Sequence, residues 1–245
     1  MACGRYIKRR LFGTFHSFLK MSTCVLTGGD QGVCAGVISL CQQHNIHCAF
    51  FLPHDDDRGD RSRLVVGFVS HLMHPHLAVL GEYPFVAGRY LEGDSLKHGR
   101  VVCEPETHDE SITTLCRELC PDYDQMPTPV RHALRRDAQM VTEADAVYLL
   151  GHLIRPSSYS MEPMGGQGWI HHMTLRQHKP LYFYDLSINT WLRFDYTRLQ
   201  FAPWFGGLPS LANQHSLVAG TRRLTKHDPA FFDILQELLL SARQA

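Results

Sequence analysis

Short apolar runs alternate along the chain with longer stretches in which apolar residues recur at helical spacing. The first apolar run covers residues 23–26, and the helical pattern follows over residues 32–44. Asn45 is a natural helix stop, and residues 47–52 have the composition of a second buried strand. This order predicts a β-α-β unit, which requires parallel strands and a right-handed crossover between them.

The same alternation continues to the end of the chain, apart from two less regular regions. Further helices are predicted over residues 62–73, 108–119, 129–141, 167–178 and 229–242. Further strands are predicted over residues 77–80, 144–151, 180–185 and 216–219. Residues 81–107 and the region around Trp191 and Trp204 are predicted to be irregular. The alternation predicts an α/β protein with a doubly wound, mostly parallel sheet and helices on both faces.

The first 21 residues differ in composition from the rest of the chain. They carry five basic side chains, and no acidic residue occurs before Asp30. This composition fits an organelle-targeting presequence, an extension before an alternative start at Met21, or a basic arm. We expect residues 1–21 to be a disordered, dispensable extension. Residues 22–245 are then expected to form a single domain with an insertion at about residues 75–128.

Charge and hydropathy limit the classes of partner. The 24 basic and 24 acidic residues cancel, so bulk electrostatics give no case for a nucleic-acid partner. No stretch approaches the roughly 20 consecutive apolar residues of a membrane span. We therefore expect a cytoplasmic protein without a membrane partner, with mitochondrial import through the basic extension as the alternative.

The eight cysteines and 16 histidines raise the questions of disulfides and metals. No two cysteines form a C-x-x-C pair, and the apolar content of a chain this long favours reduced, buried thiols. His71, His74 and His76 form one histidine cluster and His171-His172 another, but no motif places a carboxylate beside either. We predict no metal site and no certain cofactor, with metal binding by the histidine clusters as the alternative.

Two glycine pairs, Gly28-Gly29 and Gly165-Gly166, each lie between an apolar run and a helical stretch. Such a turn brings backbone N–H groups to the positive end of a helix, where a phosphate or another anion can bind. Glycine also serves any tight turn, so a purely structural role is the alternative at both places. Because ligands of open α/β sheets bind outside the carboxyl ends of the strands, the two turns predict facing halves of one anion site.

Four segments also match, in order, the motifs of a known family. They read T-G-G-D-Q-G-V at residues 27–33, E-A-D-A-V-Y-L-L at 143–150 followed by G-G-Q-G at 165–168, K-P-L-Y-F-Y-D-L at 179–186 and L-V-A-G-T-R at 217–222. The chain thereby resembles the "putative molybdenum carrier" family of the SLOG (Lonely Guy-like) superfamily of nucleotide-binding, Rossmann-like proteins. The resemblance covers about residues 22–240 and implies a Rossmann-like fold.

The motifs and the predicted strand ends together indicate a set of ligand-binding residues. These are Thr27, Gly28, Gly29, Asp30, Gln31, Gly32, Gly151, Gly165, Gly166, Gln167, Gly168, Asp185, Gly220, Thr221 and Arg222. Arg222 is the preferred charged anchor for a phosphate or carboxylate, with an exposed arginine lacking a ligand as the alternative. Asp185 either accepts hydrogen bonds from a ribose or belongs to an ordinary turn. Arg135 and Arg136 either reach the same pocket or lie on a solvated helix face.

We therefore predict a protein that binds a nucleotide or a nucleotide-derived small anion between the two glycine turns. An alternative is an enzyme similar to the phosphoribohydrolases, which cleaves the N-glycosidic bond of a nucleoside monophosphate. The second turn resembles their signature P-G-G-x-G-T-x-x-E, with Met164, Trp169 and His172 replacing the proline, threonine and glutamate.

His172 is consequently a weak candidate for a catalytic residue, because histidine cannot stabilise an oxocarbenium-like centre as an anionic carboxylate does. A second alternative is a non-enzymatic interaction protein on a degenerate nucleotide-binding fold. Pairing of two copies through their helices, common in the superfamily that the chain resembles, implies a homodimer.

Overall fold

The computed structural model of the chain describes residues 23–28, 32–54, 63–69, 99–103, 110–157, 160–163, 166–212, 214–221 and 229–243. Several of the predictions lie outside these residues. They concern the extension at 1–21, the strand at 77–80, and residues Gly29, Asp30, Gln31, His71, His74, His76, Met164, Gly165 and Arg222.

The described part of the chain contains five α-helices and eleven β-strands. The helices are α1 (Val33–His44), α2 (Glu110–Leu119), α3 (Thr128–Glu143), α4 (Gln167–Arg176) and α5 (Pro229–Leu240). The strands are β1 (Cys24–Gly28), β2 (Cys48–His54), β3 (Arg63–Val69), β4 (Gly99–Cys103), β5 (Ala146–Gly151), β6 (Leu153–Ser157), β7 (Ser160–Pro163), β8 (Leu181–Asp185), β9 (Thr190–Asp195), β10 (Gln200–Pro203) and β11 (His215–Gly220).

Nine of these strands form one sheet in the order β10-β9-β8-β5-β11-β1-β2-β3-β4. The five central strands, from β8 to β2, pair in parallel. Antiparallel strands extend both edges, with β9 and β10 on one side and β3 and β4 on the other. Strands β6 and β7 form a separate hairpin. The predicted α/β class, with a Rossmann-like, doubly wound sheet around a parallel centre, is confirmed.

Apolar side chains alternate along the central strands and form a core on each face of the sheet. Helices α1 and α5 pack on one face, where Val37 and Leu235 belong to the same cluster as Tyr148. Helices α2, α3 and α4 contribute to the cluster on the other face, which contains Leu149 and Met173. Helices therefore cover both faces, which is what buries most residues of the central parallel strands.

Three predictions of secondary structure are wrong. The predicted helix at 62–73 is a strand over Arg63–Val69, which pairs antiparallel with β2 and is rich in β-branched valine. The region 81–107, predicted to be irregular, contains strand β4. The region around Trp191 and Trp204, also predicted to be irregular, contains the β9–β10 hairpin. All three belong to the antiparallel edges of the sheet, which the prediction of alternating strands and helices does not include.

The ends of two helices show how the chain leaves the parallel core. Helix α1 ends at Asn45, whose left-handed backbone (φ 57°, ψ 42°) confirms the predicted stop. At the end of α3, the Lys179 ammonium donates hydrogen bonds to the carbonyls of Val141, Thr142 and Ala144 at 2.6, 2.7 and 2.6 Å. A lysine from the turn before β8 thus satisfies carbonyls that a helix terminus leaves without partners.

The cysteines whose side chains the structure describes are all buried. Six of the described cysteines are buried and form no disulfide with one another: Cys24, Cys34, Cys41, Cys48, Cys116 and Cys120. Burial and the neighbouring Cys48 raise the pKa of the Cys24 thiol well above its usual value, so it stays protonated near neutral pH. Within the described ranges, no helix is both long and apolar enough to cross a membrane.

Candidate functional site

The carboxyl ends of four neighbouring parallel strands bring predicted site residues to one edge of the sheet. Gly28, Gly151, Asp185 and Gly220 are the last residues of β1, β5, β8 and β11. In the sheet register, Gly151 lies opposite Asp185, while Gly220 lies opposite Leu150. The structure therefore brings Gly28, Gly151 and Gly220 to one sheet edge, as predicted, and places Asp185 beside them.

The same edge is a topological switch point. Helix α1 follows β1 onto one face of the sheet, whereas α4, which leads from β5 through the β6–β7 hairpin to β8, lies on the other face. One strand, β11, separates β1 from β5, so the carboxyl ends of these two strands lie roughly 10 Å apart. A crevice between diverging helices at such a point is where open α/β sheets bind ligands.

The first turn is held by backbone interactions that need glycine. Gly32 has φ 77° and ψ −126°, a conformation that L-residues rarely adopt. The N–H of Val33, the first residue of α1, donates to the carbonyl of Thr221 at 3.2 Å. One of the helix N–H groups expected to face an anion is thus already bonded to the end of β11.

Gly220 is required by close packing between β11, α1 and β5. A Cβ at this position would come 2.3 Å from Cγ2 of Val33 and 2.4 Å from the carbonyl oxygen of Leu150. Its neighbour Thr221 donates its backbone N–H to that same carbonyl at 3.0 Å. The V-A-G-T segment of the last strand therefore has a structural reason for its glycine.

At the second turn, in contrast to Gly32 and Gly220, the described structure gives no reason for glycine. Gly166 precedes α4 with an ordinary helical backbone (φ −58°, ψ −22°), and a Cβ built on it meets no atom of the described residues within 4 Å. A Cβ on Gly168 would lie 3.4 Å from the carbonyl of Pro163, an ordinary van der Waals contact. Neither conformation nor packing among the described residues requires glycine at these two positions.

Gln167, between these glycines, connects α4 to the end of β5. Its Nε2 donates to the carbonyl of Leu150 at 3.1 Å, and its side chain is buried. Its Oε1 has no hydrogen-bond partner among the described residues. Because the carbonyl of Leu150 can only accept, the amide group cannot be turned round, and Oε1 remains a buried acceptor without a donor.

Two further predicted residues are bonded within the protein. Thr27 is fully buried, and its hydroxyl donates to the carbonyl of Val218 at 2.7 Å, which ties β1 to β11. The Oδ1 of Asp185 accepts the backbone N–H of Ser187 at 2.9 Å, as in an ordinary turn. Both residues lie at the predicted edge, but these atoms already have partners there.

Arg136 does not lie on a solvated helix face. Its side chain is buried, and Nε and Nη2 donate to Oδ1 of Asp137 at 2.9 and 2.7 Å. Arg136 and Asp137, two neighbouring residues of α3, therefore form a buried charged pair. Burial raises the pKa of the Cys116 thiol to about 12, and the positive charge of the nearby Arg135 opposes this rise only in part.

The structure adds one residue that the sequence did not indicate, Glu162, and it buries His171, which the sequence placed in a histidine cluster. Glu162, on β7, places Oε2 3.8 Å from Nε2 of His172. His171 is buried against Phe194 and Phe201, and neither ring nitrogen has a hydrogen-bond partner among the described residues. Glu162 belongs to a hairpin that the sequence pattern does not predict, so no signal in the sequence pairs it with His172.

These observations define a Rossmann-like α/β protein in which four parallel strands end in candidate site residues at one edge of the sheet. No family model matches the chain, and no curated protein matches it. Among solved structures, it is similar to a putative molybdenum carrier protein from Syntrophus aciditrophicus SB, with 18% sequence identity and a TM-score of 0.40. The similarity covers 91% of this chain and 95% of that chain. We infer the function from the residues at this edge of the sheet.

Proposed function

We propose that the crevice binds a nucleotide or a nucleotide-derived small anion, with the anionic group at the N-terminus of α4. The observation that carries the proposal is the presence of Gly166 and Gly168 where the fold would accept alanine. Glycine in a helical conformation costs stability relative to alanine, by about 0.5–1 kcal/mol. Glycine at these positions is explained if a bound group approaches the backbone closely, because a side chain there would block it.

The electrostatics of α4 support an anion at this place. Its first turn contains no acidic residue, and no side chain caps its N-terminus. Helix N-termini carry partial positive charge and N–H groups without intrahelical acceptors, so an oxyanion there gains both charge and hydrogen bonds. The first glycine turn and Arg222 are proposed to complete the site from the opposite side, as the resemblance implies.

The unpaired acceptor of Gln167 favours a nucleotide over a bare oxyanion. Oε1 needs a donor, and the hydroxyl groups of a ribose supply donors next to a phosphate. A fully deprotonated oxyanion such as molybdate offers acceptors only. We therefore place the sugar of the ligand beside Gln167, and we propose a distant relationship to the molybdenum carrier family without molybdate as the ligand.

A thermal-shift screen with AMP, ADP-ribose, ribose 5-phosphate, sulfate and molybdate tests this function. A ligand at about 100 times its Kd should stabilise the native state by roughly 2.7 kcal/mol. Gly166→Val, which projects a side chain into open space, should retain the fold and lose this stabilisation. If no nucleotide or sugar phosphate stabilises the wild-type protein, or if Gly166→Val responds like it, the proposal is wrong.

The contact between Glu162 and His172 favours hydrolysis as a second candidate. The phosphoribohydrolase signature that the second turn resembles has glutamate where this chain has His172, and Glu162 supplies a carboxylate 3.8 Å from it. Hydrolysis would add water across the bond between C1′ and the base nitrogen. The carboxylate would stabilise the positive charge that develops at C1′, and a protonated His172 would give the departing base its proton.

Release of free base from AMP measures this second function. Glu162→Gln and His172→Ala should each abolish release while AMP still stabilises the protein. Absence of base release from wild-type protein that binds AMP would leave the binding function and exclude the hydrolase.

A further inference from the structure

A row of side chains crosses the sheet away from the crevice. Tyr148 on β5 lies opposite Tyr182 on β8, Tyr182 lies opposite Arg193 on β9, and Arg193 lies opposite Ala202 on β10. Residues directly opposite in neighbouring strands share a face of the sheet and contact one another. Tyr182 is three residues before the last residue of β8, so the row is about 10 Å from the carboxyl edge.

The row is a continuous stack of flat groups. The rings of Tyr148 and Tyr182 are nearly parallel, with centroids 5.1 Å apart and planes at 8°. The guanidinium carbon of Arg193 lies 5.8 Å from the centroid of Tyr182 and 5.4 Å from that of Trp204. Trp204 also meets Tyr182 edge to face at 5.5 Å. Two aromatic rings therefore hold the guanidinium in place through cation–π contacts.

The stack ends at a cavity. A space of about 400 Å³ is lined by residues 193–196 of β9 and the turn after it and by residues 202–204 at the end of β10, among them Arg193, Ala202 and Trp204. Ala202 is the smallest member of the row, and β10 is the edge strand, so the position next to the guanidinium is not filled by a large side chain. The volume lies within the roughly 300–1,000 Å³ of small-molecule sites.

The polar groups around the cavity are suited to an acceptor. The only interactions of Arg193 that the described residues show are its two ring contacts, and the indole N–H of Trp204 has no hydrogen-bond partner among them. Asp195 lines the same cavity, but its Oδ1 accepts the backbone N–H groups of Thr197 and Arg198 at 2.8 and 3.1 Å. Its Oδ2 lies 3.8 Å from Nε of Arg198.

We propose that this cavity is a second small-molecule site, separate from the crevice, which binds a planar aromatic carboxylate. The carboxylate pairs with the edge of the Arg193 guanidinium, whose fork of N–H donors fits two carboxylate oxygens. The ring of the ligand continues the stack over Ala202, which shares the face of Arg193. A neutral aromatic molecule would gain the packing but not the ion pair, and an aromatic cation would be repelled.

Titration with 2-naphthoate, followed by NMR of the Trp204 indole N–H, tests the site. We expect a saturable shift, and binding of 2-naphthamide weaker by about tenfold or more. Arg193→Met should weaken binding of 2-naphthoate by a similar factor. Ala202→Leu should block binding by filling the cavity, and Arg176→Met, an exposed arginine on α4, is the matched control that should bind normally.

A native amide spectrum of each variant confirms that it is folded. Absence of a saturable shift at Trp204, equal affinity for the amide and the carboxylate, or unchanged binding by Arg193→Met would each overturn the proposal. An excess of AMP should not displace 2-naphthoate, because the two sites are distinct. Failure of AMP to bind at all would concern only the crevice.

Discussion

The side-chain amide of Gln167 lies against the α-carbon of Gly151, so closely that a Cβ at 151 would come 2.7 Å from both Nε2 and Oε1. The Gln167 side chain, at the start of α4, thus leaves room only for glycine at the end of β5. The glycines of the candidate site fall into two groups, according to whether an added Cβ would overlap atoms of the protein. Gly151 and Gly220 make room for neighbouring atoms of the protein, whereas a Cβ at Gly166 would contact none of the described residues.

This division predicts opposite effects of alanine at two glycines. Gly220→Ala should lower the free energy of unfolding by about 2–3 kcal/mol, because the new methyl overlaps Val33 and the Leu150 carbonyl. Gly166→Ala should leave it unchanged or raise it by up to about 1 kcal/mol, because alanine restricts the unfolded chain and fits the native backbone. Urea unfolding followed by circular dichroism measures both changes. Equal destabilisation by the two substitutions would contradict the division.

Lys179 should be important for stability although it is far from the crevice. Its ammonium satisfies three carbonyls at the end of α3, and Lys179→Met removes all three bonds at once. We expect a loss of about 2–3 kcal/mol, since hydrogen bonds to charged groups are stronger than neutral ones. Arg176→Met, which breaks only an exposed ion pair with Glu118, should cost less than about 1 kcal/mol in the same urea measurement. A cost at Lys179 no larger than at Arg176 would show that the bonds contribute little.

His171 should make the protein sensitive to acid. Burial, with a smaller contribution from His172, lowers its pKa from 6.5 to about 4. Because the unfolded chain takes up a proton at higher pH than the native state does, stability falls as the pH drops from about 6.5 to 4. The loss from this residue should reach about 3 kcal/mol at pH 4.

Urea midpoints at pH 7 and pH 4 check this prediction. His171→Leu should show a smaller decrease between the two pH values than the wild-type protein, because it removes the group that titrates. His172→Asn, at a half-exposed position on the same helix, is the control and should retain most of the decrease. The same pH dependence in wild-type protein and His171→Leu would contradict the assignment.

The central half of the fold could be predicted from the sequence because each parallel strand is a short apolar run followed by a helical pattern. Strand β3 could not, since a brief apolar segment has no periodicity that separates strand from helix. Antiparallel pairing with β2 makes this segment a strand, and the pattern of the segment itself does not show that pairing. The β9–β10 hairpin could not be predicted because its turn, residues 196–199, contains no glycine, although the alternation of aromatic and charged residues along β9 is typical of a half-buried strand.

The position of the candidate site was predictable, whereas the roles of its residues were not. Strand ends place Gly28, Gly151 and Gly220 at one edge whatever their neighbours are. Whether Gly220 serves a ligand or the fold depends on its distance to Val33, a residue far away in the chain. The contact of Glu162 with His172 likewise depends on a hairpin that only the folded structure shows.

Mapping of AMP on the amide spectrum tests the central claim most directly. With saturating AMP, the backbone amides of Gly32, Gly166, Gly168 and Gly220 should shift, because all four surround the switch point. The amides of Asp145 and His215, at the opposite edge of the sheet, should remain unchanged. A set of shifts confined to that opposite edge or to the β9–β10 cavity, or no shifts at all, would contradict a nucleotide site at the carboxyl edge.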